Sequence, residues 1–177
     1  MTVYFSKPEA IDLEKHLATL REAPLSFPSL EYAREHYQRD FVEFKVGQGD
    51  AAFKRAKVSL QAWSQFNLGW TFAVPQGRRL AVCINVLGFW VMAPHRMMDL
   101  RESPRYYRAV LGTLKGNPLS GVEVFEVSLS PFNEVMVRIE SFAEPQGLYK
   151  IFGWWVRKWQ LRIFQSFQAR MTTSTVH

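Results

Sequence analysis

Six strand-length stretches follow one another between Gly69 and Phe142: GWTFAV, RRLAVCINV, GFWVMAPHRMMDL, RYYRAVLGTL, GVEVFEVSL and EVMVRIESF. Only short turns separate them, and no helical pattern intervenes. Parallel neighbours need a long crossover, so strands joined this closely must pair antiparallel. An antiparallel sheet is therefore the expected frame. A further strand comes earlier, at residues 41–46, where FVEFKV alternates apolar and polar residues. After the sheet, residues from about 147 to 171 read as one long helix. Leu148, Phe152, Trp155, Val156, Trp159, Ile163 and Phe167 share one broad face of it, suited to packing on the sheet. An N-terminal helix is expected over 6–21. Ser6-x-x-Glu9 has the capping-box pattern, and Ile11, Leu13, Leu17 and Leu20 form an apolar side. APLSFPSL, with two prolines, reads as an irregular link.

One short stretch invites a different fold. FKVGQGDAAF, residues 44–53, places Gly47-x-Gly49-x-x-Ala52 between an apolar run and a helical pattern. A dinucleotide loop of that form needs a parallel βαβ unit and a free helix N-terminus for the pyrophosphate. Here the helix leads into the antiparallel run. No acidic residue follows at about 20 positions to hold a ribose, and Asp50 would set a carboxylate where phosphate should sit. The glycines are read as a turn joining a strand to a helix. In that helix Phe53, Ala56, Leu60 and Trp63 fall at spacings of three and four, with Lys54, Arg55 and Lys57 facing outward.

At 177 residues one domain, 1–177, is expected, and 14 Phe and 6 Trp suit a large core or a lined cavity. The single cysteine, Cys83, cannot form an internal disulfide. With no signal-like N-terminus and no long apolar run, it points to a cytoplasmic protein. The net charge of +6 fits an anionic surface. From Pro145 to His177 there are five basic residues and no acidic one. Nucleic acid is not expected, because no recognised binding motif is present. The four histidines have no metal-ligand spacing, so neither metal nor cofactor is expected. His95 and Arg96, after Pro94, read as a solvated strand entry.

Strand, helix, six strands and long C-terminal helix is the order of a helix-grip protein. It resembles the START and birch-pollen-allergen (SRPBCC) superfamily, whose members typically enclose a cavity between sheet and helix. The resemblance implies an α+β fold: a curved antiparallel sheet of about seven strands wrapped around the C-terminal helix. LGTLKGNPLSGVEVFEV, Leu111 to Val127, is more specific. It resembles the hallmark of the domain-of-unknown-function family nineteen-ninety at Gly112, Thr113, Leu114, Gly116, Pro118, Gly121, Glu123 and Phe125. It departs from that pattern at Leu111, Lys115, Asn117 and Val122. The family brings no established activity with it.

Alternation places Glu123 on one face with Phe125, Val127 and Leu129, so its carboxyl is expected to point inward. A buried carboxyl must be paired or become neutral. One reading is a structural bond to loop amides or an arginine; the other is a polar anchor for a ligand in an apolar cavity. Tyr107 and Thr113 share a face of the preceding strand and are expected near Glu123. Asn117 sits in the loop 112–121, either a shaped hairpin or a rim over the cavity mouth. Trp63, Trp155 and Trp159 are expected to line or roof the cavity. On the opposite side of the last helix, Trp154 and Leu161 join Lys150, Arg157 and Lys158, a surface for an anionic membrane or a partner protein unless another element covers it.

Three functions follow: a carrier or sensor of a small apolar or amphipathic, lipid-like molecule, which is preferred; a cyclase- or hydratase-like enzyme using Glu123; and a membrane or protein-interaction module acting through the Trp154 face.

Overall fold

The computed structural model describes residues 2–147, 162–163 and 165–169. Its centre is an antiparallel sheet. Strands β2 (Gln38–Gln48), β3 (Thr71–Gln76), β4 (Arg79–Val86), β5 (Phe89–Ser103), β6 (Tyr106–Thr113), β7 (Leu119–Leu129) and β8 (Glu134–Pro145) lie in the order β2-β8-β7-β6-β5-β4-β3. β3 to β8 are the six stretches expected from sequence, each paired with the next. A short strand that alternation did not reveal, β1 (Thr2–Tyr4), adds to the first half of β5.

Three helices precede or interrupt the sheet: α1 (Ala10–Thr19), α2 (Leu30–His36) and α3 (Gly49–Gln61). α1 is shorter than the expected 6–21. Its N-cap is Glu9, with no side-chain cap bond, so the Ser6–Glu9 capping box does not form. The proline-bearing link leads into α2, capped by the Ser29 hydroxyl, which accepts from the Tyr32 N–H at 3.1 Å. α3 starts at Gly49, behind an N-cap at Gln48, with Asp50 inside its first turn. Its parent strand β2 pairs antiparallel with β8, and the Gly49 N–H donates to the Asn133 carbonyl at 2.9 Å. The Gly-x-Gly stretch is thus a strand-to-helix turn.

The two faces of the sheet have different covers. On the outer face α1 packs on β3 and β4, and α2 packs on β7 and β8. Leu13 and Leu17 bury against Ala81, Cys83, Trp90 and Met92, while Phe27 and Ala33 bury against Val110, Val122, Val124 and Phe142. On the inner face α3 packs on β2, β7 and β8. Phe53, Ala56 and Leu60 enter one cluster with Phe44, Phe125, Val137 and Ile139.

Residues 162–163 and 165–169 are helical, and Ile163 and Phe167 belong to the inner cluster. The Arg162 guanidinium lies 5.2 Å from the centroid of Trp70, just before β3, and Phe167 meets Phe44 of β2 edge-on at 6.4 Å. β3 and β2 are the two ends of the strand order. Side chains of this C-terminal segment therefore meet residues at both ends of the strand order. The remainder of the helix expected over 147–171 lies outside the described residues.

Candidate functional site

β7 runs through the middle of the sheet, paired with β6 and β8. Glu123 on it faces Leu111 on one side and Ser141 on the other, and both are fully buried. Its side chain takes the inner face with Phe125 and Val127, as alternation requires. The Oε2 atom is buried and has no hydrogen-bond partner. With nothing to stabilise the charged form, burial pushes the carboxyl up from its ordinary 4.5 to about 7. The residue as a whole nevertheless keeps some exposure, unlike Leu111 and Ser141 beside it.

The cover of the inner face is uneven toward β3–β5. α3 covers the β2–β8–β7 half of the inner face, whereas Trp70, Ala73, Ile84 and Met97 on the other half are only partly buried against the cluster. Gln65 provides a second unpaired group. It lies in the short 3-10 turn Ser64–Phe66, fully buried, with no partner for either amide atom. Trp63, in left-handed backbone at φ 54°, stacks on Phe66, and both rings meet Phe125 edge-on at 6.2 and 5.7 Å. Trp63 is therefore buried beside the residue next but one to Glu123 on the same face. Among the described residues, the buried side-chain atoms without a partner belong to Gln65, Gln76 and Glu123.

His95 corrects the sequence reading. It is buried, with the parity of Ala93 and Met97, and so belongs to the inner face. Its Nδ1–H donates to the Ala93 carbonyl at 2.9 Å, which leaves Nε2 as the ring's acceptor. Burial lowers its pKa to about 4, so the ring is neutral. Pro94 suggested a strand start, but β5 had already begun at Phe89.

The other expected residues are placed as follows. Thr113 opposes Gly121: its hydroxyl accepts from the Gly121 N–H at 2.8 Å and lies 3.0 Å from that residue's carbonyl. It also meets the Ser26 hydroxyl. Asn117 donates to the Pro94 carbonyl at 3.1 Å and accepts from the Leu119 N–H at 2.9 Å. Both polar groups pin the β6–β7 loop. Tyr107 shares the inner face but pairs with Val127, four positions along β7 from Glu123. That separation is about 13 Å of strand, so the two do not meet. Burial, then the Glu102 charge, raises the Tyr107 hydroxyl pKa. Trp154, Trp155, Trp159, Leu161, Lys150, Arg157 and Lys158 lie outside the described residues. No group of three His, Cys, Asp or Glu side chains suited to a metal occurs among the described residues. Nor is any helix among them long and apolar enough to cross a membrane.

Sequence parity located Glu123 but missed His95 and Gln65. The signal for His95 was present in its alternation with Ala93 and Met97. None marked Gln65, whose burial depends on how the 3-10 turn folds back.

The sheet, its two covers and the unpaired carboxyl define an α+β protein whose apolar inner face carries a few buried polar groups, Glu123 and His95 among them. The fold is shared with solved proteins of very different sequence. A hypothetical protein from Helicobacter pylori superposes with a TM-score of 0.56 at 13% identity, covering 86% of this chain and 96% of that one. An uncharacterized Bacillus thuringiensis protein gives 0.51 at 10% identity, covering 79% and 100%. The chain belongs to the family described as Domain of unknown function (DUF1990), matched over residues 25–175. A UPF0548 protein of Arabidopsis thaliana is 30% identical over 120 residues, 62% of this chain and 58% of that protein's length.

Proposed function

We propose that the protein binds a small, mainly apolar molecule between the inner face of the sheet and the C-terminal helix, in a helix-grip arrangement, with Glu123 as its polar anchor. The observation that carries this reading is the Oε2 atom of Glu123, buried without a partner on the apolar inner face. A buried polar atom left unpaired costs about 1–3 kcal/mol. A ligand hydrogen bond removes that cost. With a pKa near 7 the carboxyl is largely protonated in mildly acidic solution and donates to a carbonyl or hydroxyl oxygen. The partly buried apolar side chains Ile84 and Met97 suit the hydrocarbon part of the same molecule. The preferred ligand is thus amphipathic, with one oxygen-bearing end. Trp155 and Trp159 are assigned the roof from their place on the apolar side of the C-terminal sequence.

Native mass spectrometry of the purified protein, with solvent extraction, tests for a co-purified molecule. Titration with the neutral apolar dye Nile red, at pH 6 and pH 8.5, compares the wild type with Glu123→Gln and Glu123→Leu. Displacement of the dye by a long-chain alcohol, weaker in Glu123→Leu and weaker at pH 8.5 in the wild type, is expected. Failure of the dye to bind, or equal displacement in all three proteins at both pH values, removes the reading.

A further inference from the structure

We infer that His95 is a second polar anchor on the inner face, and that the molecule held there carries two oxygen functions, one of them a hydroxyl that donates to His95 Nε2. This rests on the proposed function and adds a second polar end to its ligand. His95 is 5% exposed and lies on β5 with the parity of Ala93, a member of the inner cluster. Its Nδ1–H is taken up by the Ala93 carbonyl. Among the described residues no donor meets Nε2. Burial keeps the ring neutral, so the Nε2 lone pair stays available. A buried acceptor without a donor is unfavourable for the same reason as the unpaired Oε2 of Glu123. Native interiors leave few polar groups in that state, and here two stand on one face.

The strand register sets their spacing. Glu123 pairs with Leu111, and Leu111 with Met97, so Glu123 and Met97 lie two strands apart in one row. His95 is two positions from Met97 along β5. Two strand spacings and two residue rises put the Cα atoms of Glu123 and His95 roughly 12 Å apart. Leu111 and Thr113 of β6 lie between them. Leu111 is apolar. Thr113, opposite His95, has its hydroxyl engaged with Gly121 and Ser26. A guest laid from one anchor to the other therefore crosses an apolar side chain and a hydroxyl that is already satisfied.

The two anchors select the chemistry of the guest. The unprotonated nitrogen of a neutral imidazole only accepts, whereas a carboxyl in its protonated form also donates. A fatty-acid carboxylate has no hydrogen to give to Nε2, so its head group suits His95 poorly. A neutral diol or hydroxy ketone satisfies both anchors. With a hydrogen bond of about 2.8 Å at each end, the two ligand oxygens fall about 6–12 Å apart, the span of an alkyl chain of about four to eight carbons.

Displacement of Nile red by α,ω-octanediol and by octanol, in the wild type, His95→Leu and His95→Gln, is the test. The quantity read is the ratio of the half-displacement concentrations of the two alcohols. Loss of the acceptor in His95→Leu should shift that ratio at least about fivefold against the diol. Glutamine offers an amide oxygen in place of Nε2, so His95→Gln should recover part of the shift. In the wild type, the Nε2 resonance of His95 in nitrogen-15 spectra should move on addition of the diol, a readout that needs no variant. An unchanged ratio in a folded His95→Leu protein, or a Nε2 resonance indifferent to the diol, overturns the second anchor; where displacement still depends on Glu123, the proposed function stands without it. Failure of the dye to bind overturns both.

Discussion

Glu123 of β7 and Glu140 of β8 stand one register position apart on opposite faces of the sheet, and only Glu140 is paired. Arg39 donates to Glu140 at 2.7 Å and Arg138 at 3.3 Å, and both guanidinium groups lie 5.0 Å from the Phe41 ring centroid. Glu123 has no such neighbour on the inner face.

The two arginines of this network are expected to cover for each other. Each is more than a third exposed, so either alanine substitution alone should cost under about 1 kcal/mol. The double substitution leaves a nearly buried carboxylate unpaired and should cost more than the sum of the two. Urea unfolding of the three variants checks this; strict additivity would mean that Glu140 does not depend on the pair.

Glu123 and His95 are expected to oppose each other in the pH dependence of stability. Glu123, raised from 4.5 to about 7, keeps in the fold a proton that the unfolded chain releases. Its contribution favours the fold at low pH and is lost as pH rises from about 4.5 to about 7. His95, lowered from 6.5 to about 4, refuses in the fold a proton that the unfolded chain takes up. Its contribution is present above 6.5 and is lost as pH falls toward 4. Each shift corresponds to about 3 kcal/mol. Between about pH 4.5 and 6.5 the slopes cancel. Glu123→Gln should therefore expose a stability that rises with pH in this window, and His95→Gln one that falls. Parallel curves for wild type and both variants would refute the assignment.

Gly121 should tolerate no side chain. A Cβ built there lies 2.0 Å from the Phe142 carbonyl oxygen and 2.8 Å from the Ala143 Cα, and backbone cannot step aside as a side chain can. Gly121→Ala should destabilise by upwards of about 3 kcal/mol. Thr113→Val keeps the shape but strands the Gly121 N–H, at about 1–3 kcal/mol. Thermal melts rank the two; a neutral Gly121→Ala would mean that β7 and β8 separate readily there.

The sheet was legible because six alternating runs with short turns leave only antiparallel pairing. β1 and α2 were not, for want of length: three residues show no period, and seven behind a proline-bearing link resemble a loop. Glu123 could be placed from parity alone, since β7 is regular. Parity could not measure distance along a strand, and so it grouped Tyr107 with a carboxyl four positions away. Pro94 disguised His95, because a proline within a strand reads as its beginning. The polar groups of Thr113 and Asn117 were visible as hydrogen-bonding residues. That both are spent on pinning the loop, to its own backbone and to the Pro94 carbonyl of β5, depends on its closure, which local pattern does not encode.

Arg162 on Trp70 and Phe167 on Phe44 act as a clasp between the first and last strands of the row. On the proposed function, such a clasp sets the gauge of the opening it closes. The hydrogen bonds that run from strand to strand fix the floor but leave the rim free to spread. The width of guest the protein would accept is then decided at two side-chain contacts remote in sequence from that floor. Changes of size preference would be sought at those contacts first, and at Glu123 only where the polar end of the proposed guest changes.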